Sequence, residues 1–146
     1  YISYTSSSAS TKVERTDYSS DTTNSVAKGN LNLVQYQNRC VGNINYGWTT
    51  GGSIGPTKVE RVDYSNDTAT ASPRGNLSVI RNTHASTGNE DYGYVMSGAD
   101  PNAKTTTERI DYSNDTASPS PKGYLVYNAE RGDAMAAGEN GLPYTV

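Results

Sequence analysis

The fold is decided by the stretch at residues 58–77, which reads KVERVDYSNDTATASPRGNL. It recurs as KVERTDYSSDTTNSVAKGNL at 12–31 and as TTERIDYSNDTASPSPKGYL at 106–125. We call these three stretches the first, second and third block in chain order. Their equivalent aspartates, Asp17, Asp63 and Asp111, lie 46 and 48 residues apart. Self-similarity at such a period indicates a repeat architecture in which each unit packs on its neighbours.

The repeats define one domain, 1–146, with repeats at approximately 11–56, 57–104 and 105–146 and with residues 1–10 as the end of a preceding repeat. Short runs of β-branched and aromatic residues alternate with Gly, Pro, Asn and Ser, a pattern typical of strands joined by tight turns. In the second repeat we predict strands at about 58–64, 68–71, 84–87 and 92–97. The sequence thus predicts an all-β chain of about twelve or thirteen short antiparallel strands with negligible helix.

The run at 63–98, DYSNDTATASPRGNLSVIRNTHASTGNEDYGYVMSG, resembles a kelch repeat. Arg81 and His84 match the kelch arginine and histidine, and Tyr94 matches the tyrosine of the strand that follows. The first repeat departs from this pattern, because Gln35 and Asn38 stand where the second has Arg81 and His84. The resemblance implies four-stranded kelch-like blades that form a β-propeller or part of one.

A closer resemblance is to the repeated ERIDYSNDTATASPRG arrays of virion structural or tail proteins of marine cyanobacterial phages. That resemblance implies a non-enzymatic structural module of a virion or extracellular assembly, similar to a phage tail fibre. Its partners would be other copies of itself or neighbouring structural proteins. The alternative is a glycan- or receptor-binding, lectin-like propeller involved in adhesion, with Trp48 on an exposed loop and Tyr94 as possible ligand contacts. An enzyme of the galactose-oxidase-like kelch group ranks third, because its chemistry needs a metal cluster.

Three blades are too few to close a ring, and the faces of each blade need neighbours. The chain is expected to begin inside a blade at 1–4 and to end in the equivalent strand at 144–146. We expect one of three solutions: a longer chain with about six or more blades, several chains that complete a ring or stack, or an extended fibre.

Composition excludes several classes of protein. Only 33% of the residues are hydrophobic and Phe is absent, but 12 tyrosines supply large rings that favour a folded chain. With 12 Lys and Arg, 15 Asp and Glu and a net charge of −3, no basic field is available for nucleic acid. Cys40 is the single cysteine, which excludes an intrachain disulfide. No apolar run approaches the roughly 20 residues of a membrane span.

The D-Y-S-[SN]-D-T segment suggests a weak calcium candidate. Asp63, Ser65 and Asp67 have the alternating spacing with which a loop can wrap oxygen ligands around Ca²⁺. The loop lacks the glycine and terminal glutamate of an EF-hand, so we favour a strand-to-strand turn closed by Asx hydrogen bonds. No other cofactor is predicted, and no catalytic residue, because His84 is the single histidine.

The Glu-Arg pair occurs in every block, and its two side chains point to opposite faces of a strand. We predict that they bond to neighbouring blades, the alternative being a ring of charge along a channel. Because a repeat tiles when equivalent residues meet equivalent neighbours, we also predict two sets of equivalent, mostly buried positions. They are Tyr18, Tyr64 and Tyr112, and Leu31, Leu77 and Leu125.

Overall fold

The computed structural model describes the backbone of residues 2–3 and all of residues 9–20, 22–132 and 134. These residues form an all-β fold, which confirms the predicted class, with two short 3-10 helices at Tyr64–Asn66 and Tyr112–Asn114. Among the described residues no helix is long and apolar enough to cross a membrane. The strands are β1 (Ile2–Ser3), β2 (Ser10–Arg15), β3 (Val26–Gln35), β4 (Arg39–Gly42), β5 (Tyr46–Thr50), β6 (Val59–Asp63), β7 (Ser72–Pro73), β8 (Ala85–Gly88), β9 (Tyr92–Met96), β10 (Lys104–Asp111) and β11 (Ser120–Ala129).

The strands form three antiparallel sheets in which sequence neighbours pair. The first sheet has the order β1-β2-β3, the second β4-β5-β6-β7 and the third β8-β9-β10-β11. Each four-stranded sheet takes two strands from one sequence repeat and two from the next, so the structural unit is shifted by half a period from the sequence frame. Residues 144–146, where a closing strand is predicted, lie outside the described residues.

Three of the four strands predicted in the second repeat are present as β6, β8 and β9. The prediction of a strand at 68–71 is wrong. The side chain of Asp63 accepts the backbone N–H of Ser65 and starts a 3-10 turn, and Ala69 N–H then bonds to Asn66 O at 3.1 Å. The chain therefore stays curled through 70 and re-enters the sheet at Ser72–Pro73.

The second sheet is buried on both faces, with one apolar cluster on each. Val62 and Tyr64 pack with Val13 and Leu31 of the first sheet. Val59 faces the other way, into a cluster with Leu77 and with Val95 and Ile110 of the third sheet. This alternation along β6 follows the two-residue period of a strand, as the sequence predicts.

The predicted equivalence of the tyrosines and leucines holds for two copies of three. Tyr64 and Tyr112 are partly buried, but Tyr18 is 86% exposed. Leu31 and Leu77 are buried, whereas Leu125 is only half-buried. The physical reason is that each tyrosine packs on the preceding sheet and each leucine on the following one. In the described residues no sheet precedes Tyr18 and none follows Leu125.

Candidate interaction site at the junctions between sheets

An aspartate of one block forms ion pairs with basic side chains of the block before it. Both carboxylate oxygens of Asp67 contact cations of the first block: Arg15 Nη1 lies 2.7 Å from Oδ2 and Lys28 Nζ lies 3.2 Å from Oδ1. One repeat later, Asp115 Oδ2 accepts from Arg61 Nη1 at 3.0 Å and Arg74 Nε at 2.9 Å. Both aspartates are buried. Ion pairs between equivalent residues thus link the first block to the second and the second to the third.

The glutamate of each block makes the second link of the junction. Glu60 Oε2 accepts the backbone N–H of Asn32 at 3.0 Å, and Glu108 Oε1 accepts that of Ser78 at 2.6 Å. Both glutamates are fully buried. Because Asn32 and Ser78 occupy equivalent positions just after the buried leucines, the bond recurs with the repeat.

The third link is a close backbone approach at a glycine. Gly29 N–H bonds to Asp67 O at 2.7 Å, and Gly75 N–H bonds to Asp115 O at 2.9 Å. A Cβ added at Gly29 would lie 1.9 Å from Ala69 O, and one at Gly75 would lie 2.0 Å from Ala117 O. No side chain fits at either distance, which explains the glycine of the K/R-G sequence in the first two blocks.

The Glu-Arg pairs therefore bond to neighbouring repeats at the two described junctions, as the sequence predicts. The arginines also stack on a tyrosine of their own sheet: Arg61 lies 4.2 Å from the ring centroid of Tyr46, and Arg109 lies 4.1 Å from that of Tyr92. Such cation–π stacking holds the guanidinium in place before any carboxylate reaches it.

Arg81 anchors the segment that connects the second and third sheets. Its guanidinium donates to Ser97 O at 2.9 Å, to Thr106 O at 3.1 Å and to Thr106 Oγ1 at 2.8 Å. It also pairs with Glu108 Oε2 at 2.9 Å, with both side chains fully buried. A buried charge pair with this many hydrogen bonds avoids the cost of an unsatisfied charge.

The first repeat builds the equivalent position less completely. Gln35 replaces the arginine, and in the amide orientation that satisfies both of its polar atoms the nitrogen donates to Gly51 O at 2.9 Å and Ile54 O at 3.1 Å. Glu60, which is equivalent to Glu108, keeps one buried oxygen, Oε1, without a hydrogen bond. Burial raises the pKa of Glu60 above its usual range.

His84 is buried and lies one residue before β8 begins. Its Nε2 is 2.8 Å from Thr50 Oγ1 of the second sheet. Burial, reinforced by the positive charges of Arg81 and Arg39, lowers the pKa of His84 to about 3. The imidazole is therefore neutral near pH 7 and serves as a packed hydrogen-bonding group between sheets.

The structure does not bring the three calcium candidates together as ligands. Asp63 Oδ1 accepts the backbone N–H of Ser65 at 2.9 Å and its hydroxyl at 2.6 Å, which is the Asx turn that the sequence favoured. Those hydrogen bonds from Ser65 lower the pKa of Asp63. Asp67 instead turns to Arg15 and Lys28, as described above. Within the described residues no group of three His, Cys, Asp or Glu side chains could hold a metal ion.

The two predicted ligand contacts have different surroundings. Trp48 is fully buried, and its ring stacks on Tyr112 with centroids 4.0 Å apart, so it does not lie on an exposed loop. Tyr94 is partly buried on β9. An open polar cleft lies elsewhere, between the turns of the second and third sheets. It is lined by Asn43, Tyr46, Glu90, Asp91, Tyr92, Asp111, Tyr112 and Ser113.

Sequence reasoning missed the role of the aspartate at the fifth position of D-Y-S-[SN]-D-T and of the glycine that follows Lys or Arg. Both recur in all three blocks, at Asp21, Asp67 and Asp115 and at Gly29, Gly75 and Gly123. That recurrence was the available signal. It could not reveal that the aspartate and the glycine of successive blocks meet.

No family model matches the chain, and no curated protein matches it. Among solved structures the chain is similar in fold to a fungal alcohol oxidase of the AA5 family, described as having catalytic diversity and solved in complex with copper. The match has a TM-score of 0.50 and 18% sequence identity, and it covers 62% of this chain and 19% of the oxidase. At this identity the likeness concerns the fold alone.

Proposed function

We propose that this chain is a non-enzymatic structural module of a virion or extracellular assembly, in which kelch-like repeats mediate protein–protein contacts. The observation that carries the proposal is the use of the recurring residues. The glutamate, arginine, aspartate and glycine of the blocks join one sheet to the next, as Glu60, Arg61, Asp67 and Gly75 illustrate. The residues that recur in the sequence are thus the ones that join neighbouring sheets.

The arrangement of the strands supports kelch-like propeller blades. Two four-stranded antiparallel meanders stand in succession, and the second sheet has an apolar cluster on each face. Neighbouring blades of a propeller share these features.

The resemblance of ERVDYSNDTATASPRG at 60–75 to the arrays of cyanophage structural proteins supports the virion or extracellular location. Immunogold electron microscopy on particles purified from a culture that carries the gene tests it. Antibodies raised against the chain are expected to label particles or extracellular structures at regular positions, whereas preimmune serum does not. Antigen confined to the soluble contents of the cells would refute the proposal.

Glycan or receptor binding is the second candidate, because the polar cleft between the turns combines aromatic rings with hydrogen-bonding groups. Tyr46 and Tyr92 line it together with Asn43 and Asp91. A glycan array would test this candidate. Saturable binding that is lost in Tyr92→Ala and retained in Tyr127→Ala would support it. Tyr127 is 82% exposed on β11 and does not line the cleft, which makes it a matched control.

A further inference from the structure

The third block carries the same junction groups as the first two, but among the described residues no further block follows it to form a junction. Arg109 and Lys122 correspond to Arg15 and Lys28, and in the described part of the chain no carboxylate lies within ion-pair distance of either. Among the described residues, no atom lies within 4 Å of a Cβ added at Gly123. We call the face formed by Arg109, Lys122, Gly123, Leu125 and Val126 the open junction.

We propose that the open junction docks the first block of a second copy of this chain. This inference rests on the proposed function and deepens it by naming the partner. The two filled junctions show what such a partner must supply: a carboxylate for the arginine and lysine, a backbone carbonyl for the glycine, a glutamate for the next N–H and an apolar face for the leucine.

The first block carries the matching residue types in its sequence, with Asp21 as the equivalent carboxylate and Glu14 as the equivalent glutamate. Its turn keeps the Asx hydrogen bond of the other two, because Ser19 N–H bonds to Asp17 Oδ1 at 2.9 Å as Ser65 N–H bonds to Asp63 Oδ1. Yet Tyr18 is 86% exposed, whereas Tyr64 packs on the sheet before it. The aspartate at the fifth position of the motif, Asp21, lies outside the described residues.

Glu14 supplies the glutamate of the docking face. It is equivalent to Glu60 and Glu108, which accept backbone N–H groups across the filled junctions, but its Oε2 accepts the hydroxyl of Ser25 at 2.6 Å. In the docked pair Glu14 accepts the N–H of Val126, the residue equivalent to Asn32 and Ser78. The serine hydroxyl is then released to water.

The intermolecular junction is weaker than the internal ones. Where the second block places Val62 and Ala71 against Leu31, the first block offers Thr16 and Ser25. Less apolar surface is therefore buried around Leu125 than around Leu31. Association depends on concentration and on salt, because the ion pairs at its rim are screened.

The contact is head-to-tail, since it joins the first block of one copy to the third block of another. Such a heterologous interface generates rings or open filaments and not only symmetric dimers. Sedimentation velocity from micromolar to millimolar concentration is expected to show oligomers that grow beyond the dimer. A monomer throughout that range would overturn the proposal, including the case in which residues 135–146 of the same chain cover the face.

Gly123→Ala tests the geometry with little risk to the fold. The added Cβ meets nothing in the described chain, but in the docked pair it would clash with a backbone carbonyl of the partner copy. At the equivalent Gly29, the corresponding carbonyl oxygen, Ala69 O, lies only 1.9 Å from an added Cβ. We expect association to weaken at least about tenfold, the equivalent of about 1.4 kcal/mol. Tyr124→Asn is the matched control, because the equivalent Asn30 and Asn76 stay exposed in filled junctions. Unchanged assembly of Gly123→Ala would refute the proposed docking.

A mixing experiment tests the polarity of the contact. Glu14→Lys weakens the head and Gly123→Ala weakens the tail, so neither variant alone is expected to associate at a concentration at which the wild type does. Their mixture retains one intact head and one intact tail and is expected to give a one-to-one dimer and nothing larger. Larger species, or no complex, would contradict a head-to-tail contact.

The outcome is separable from that of the proposed function. Labelled particles together with a chain that does not self-associate would leave the structural function standing and remove this partner. Self-association blocked by Gly123→Ala, together with antigen confined to the cell interior, would keep the head-to-tail contact and remove the virion or extracellular role.

Discussion

Trp48 Nε1 donates a hydrogen bond to Asp115 Oδ2 across 2.8 Å, although the two residues are 67 positions apart in the chain. The same oxygen accepts from Arg61 and Arg74. Asp115, in the turn of the third block, is therefore one buried acceptor for three donors of the second sheet. These donors come from β5, from β6 and from the segment after β7. The indole is fully enclosed, and its stacking on Tyr112 adds an aromatic contact to the same junction.

Asp115→Ala should destabilise the chain by about 3 kcal/mol, because three buried or half-buried donors lose their acceptor at once. Urea unfolding followed by the fluorescence of Trp48, the single tryptophan, measures the loss at the junction itself. Glu130→Ala is the control, since that residue is exposed at the far end of β11 and its substitution should change stability by less than about 0.5 kcal/mol. Equal midpoints for the two variants would contradict the role assigned to Asp115.

Gln35→Arg should stabilise the first junction by roughly 1 kcal/mol. The new guanidinium would supply the partner that Glu60 Oε1 lacks, as Arg81 does for Glu108. It should also change the response to pH. The raised pKa of Glu60 means that its favourable contribution is present below its usual value of 4.5 and is lost as the pH rises through the higher folded value.

Thermal unfolding of wild type and Gln35→Arg at about pH 4 and about pH 7 would measure that change, because these values lie on either side of the carboxyl titration. The variant is expected to gain more at the higher pH, where wild-type Glu60 bears an uncompensated buried charge. Arg81→Gln, the reverse exchange at the equivalent site, should lose stability. A variant that gains nothing at either pH would show that the site does not accommodate the arginine.

The sequence predicted the sheet architecture through features that are local in the chain. The alternation of Val59 and Arg61 against Glu60 and Val62 requires no knowledge of distant residues, and the structure confirms it. The burial of Trp48 could not be predicted in this way, because its enclosure depends on Asp115 and Tyr112 in the next repeat.

The tyrosines show the second limit of sequence reasoning. Tyr18 and Tyr64 sit in nearly identical segments, yet one is exposed and the other packed, since burial depends on which sheet lies alongside. Repetition therefore predicts what a residue can contact, and the position of the repeat in the array decides whether that contact is made. The candidate junction site was predicted only to the extent that Glu and Arg were assigned to neighbouring repeats.

Gly75→Ala should destabilise the chain by about 2 kcal/mol or more, because the added Cβ would be forced against the carbonyl of Ala117 at a packed junction. Gly123→Ala provides the matched control at the equivalent position of the third block, where space is open. Denaturant unfolding at a low protein concentration, where association is absent, compares the two. A loss of the same size in both variants would mean that the glycines serve the local strand and not the junction.

His84 should make the stability of the chain fall as the pH is lowered. Its pKa is about 3 in the folded state against an ordinary value of 6.5, so between these values the unfolded chain binds more protons. The contribution of the neutral imidazole is therefore complete above 6.5 and is lost toward 3, at up to about 1.4 kcal/mol per pH unit. His84→Asn installs the residue that Asn38 supplies at the equivalent position of the first repeat. Carboxylates titrate in the same window, so the readout is the difference between the two unfolding free energies across pH 3 to pH 7, in steps of about one unit. The variant should lose less stability than wild type on acidification. Parallel curves of unfolding free energy against pH would contradict the assigned role, because they would mean that His84 has the same pKa in the folded and unfolded chains.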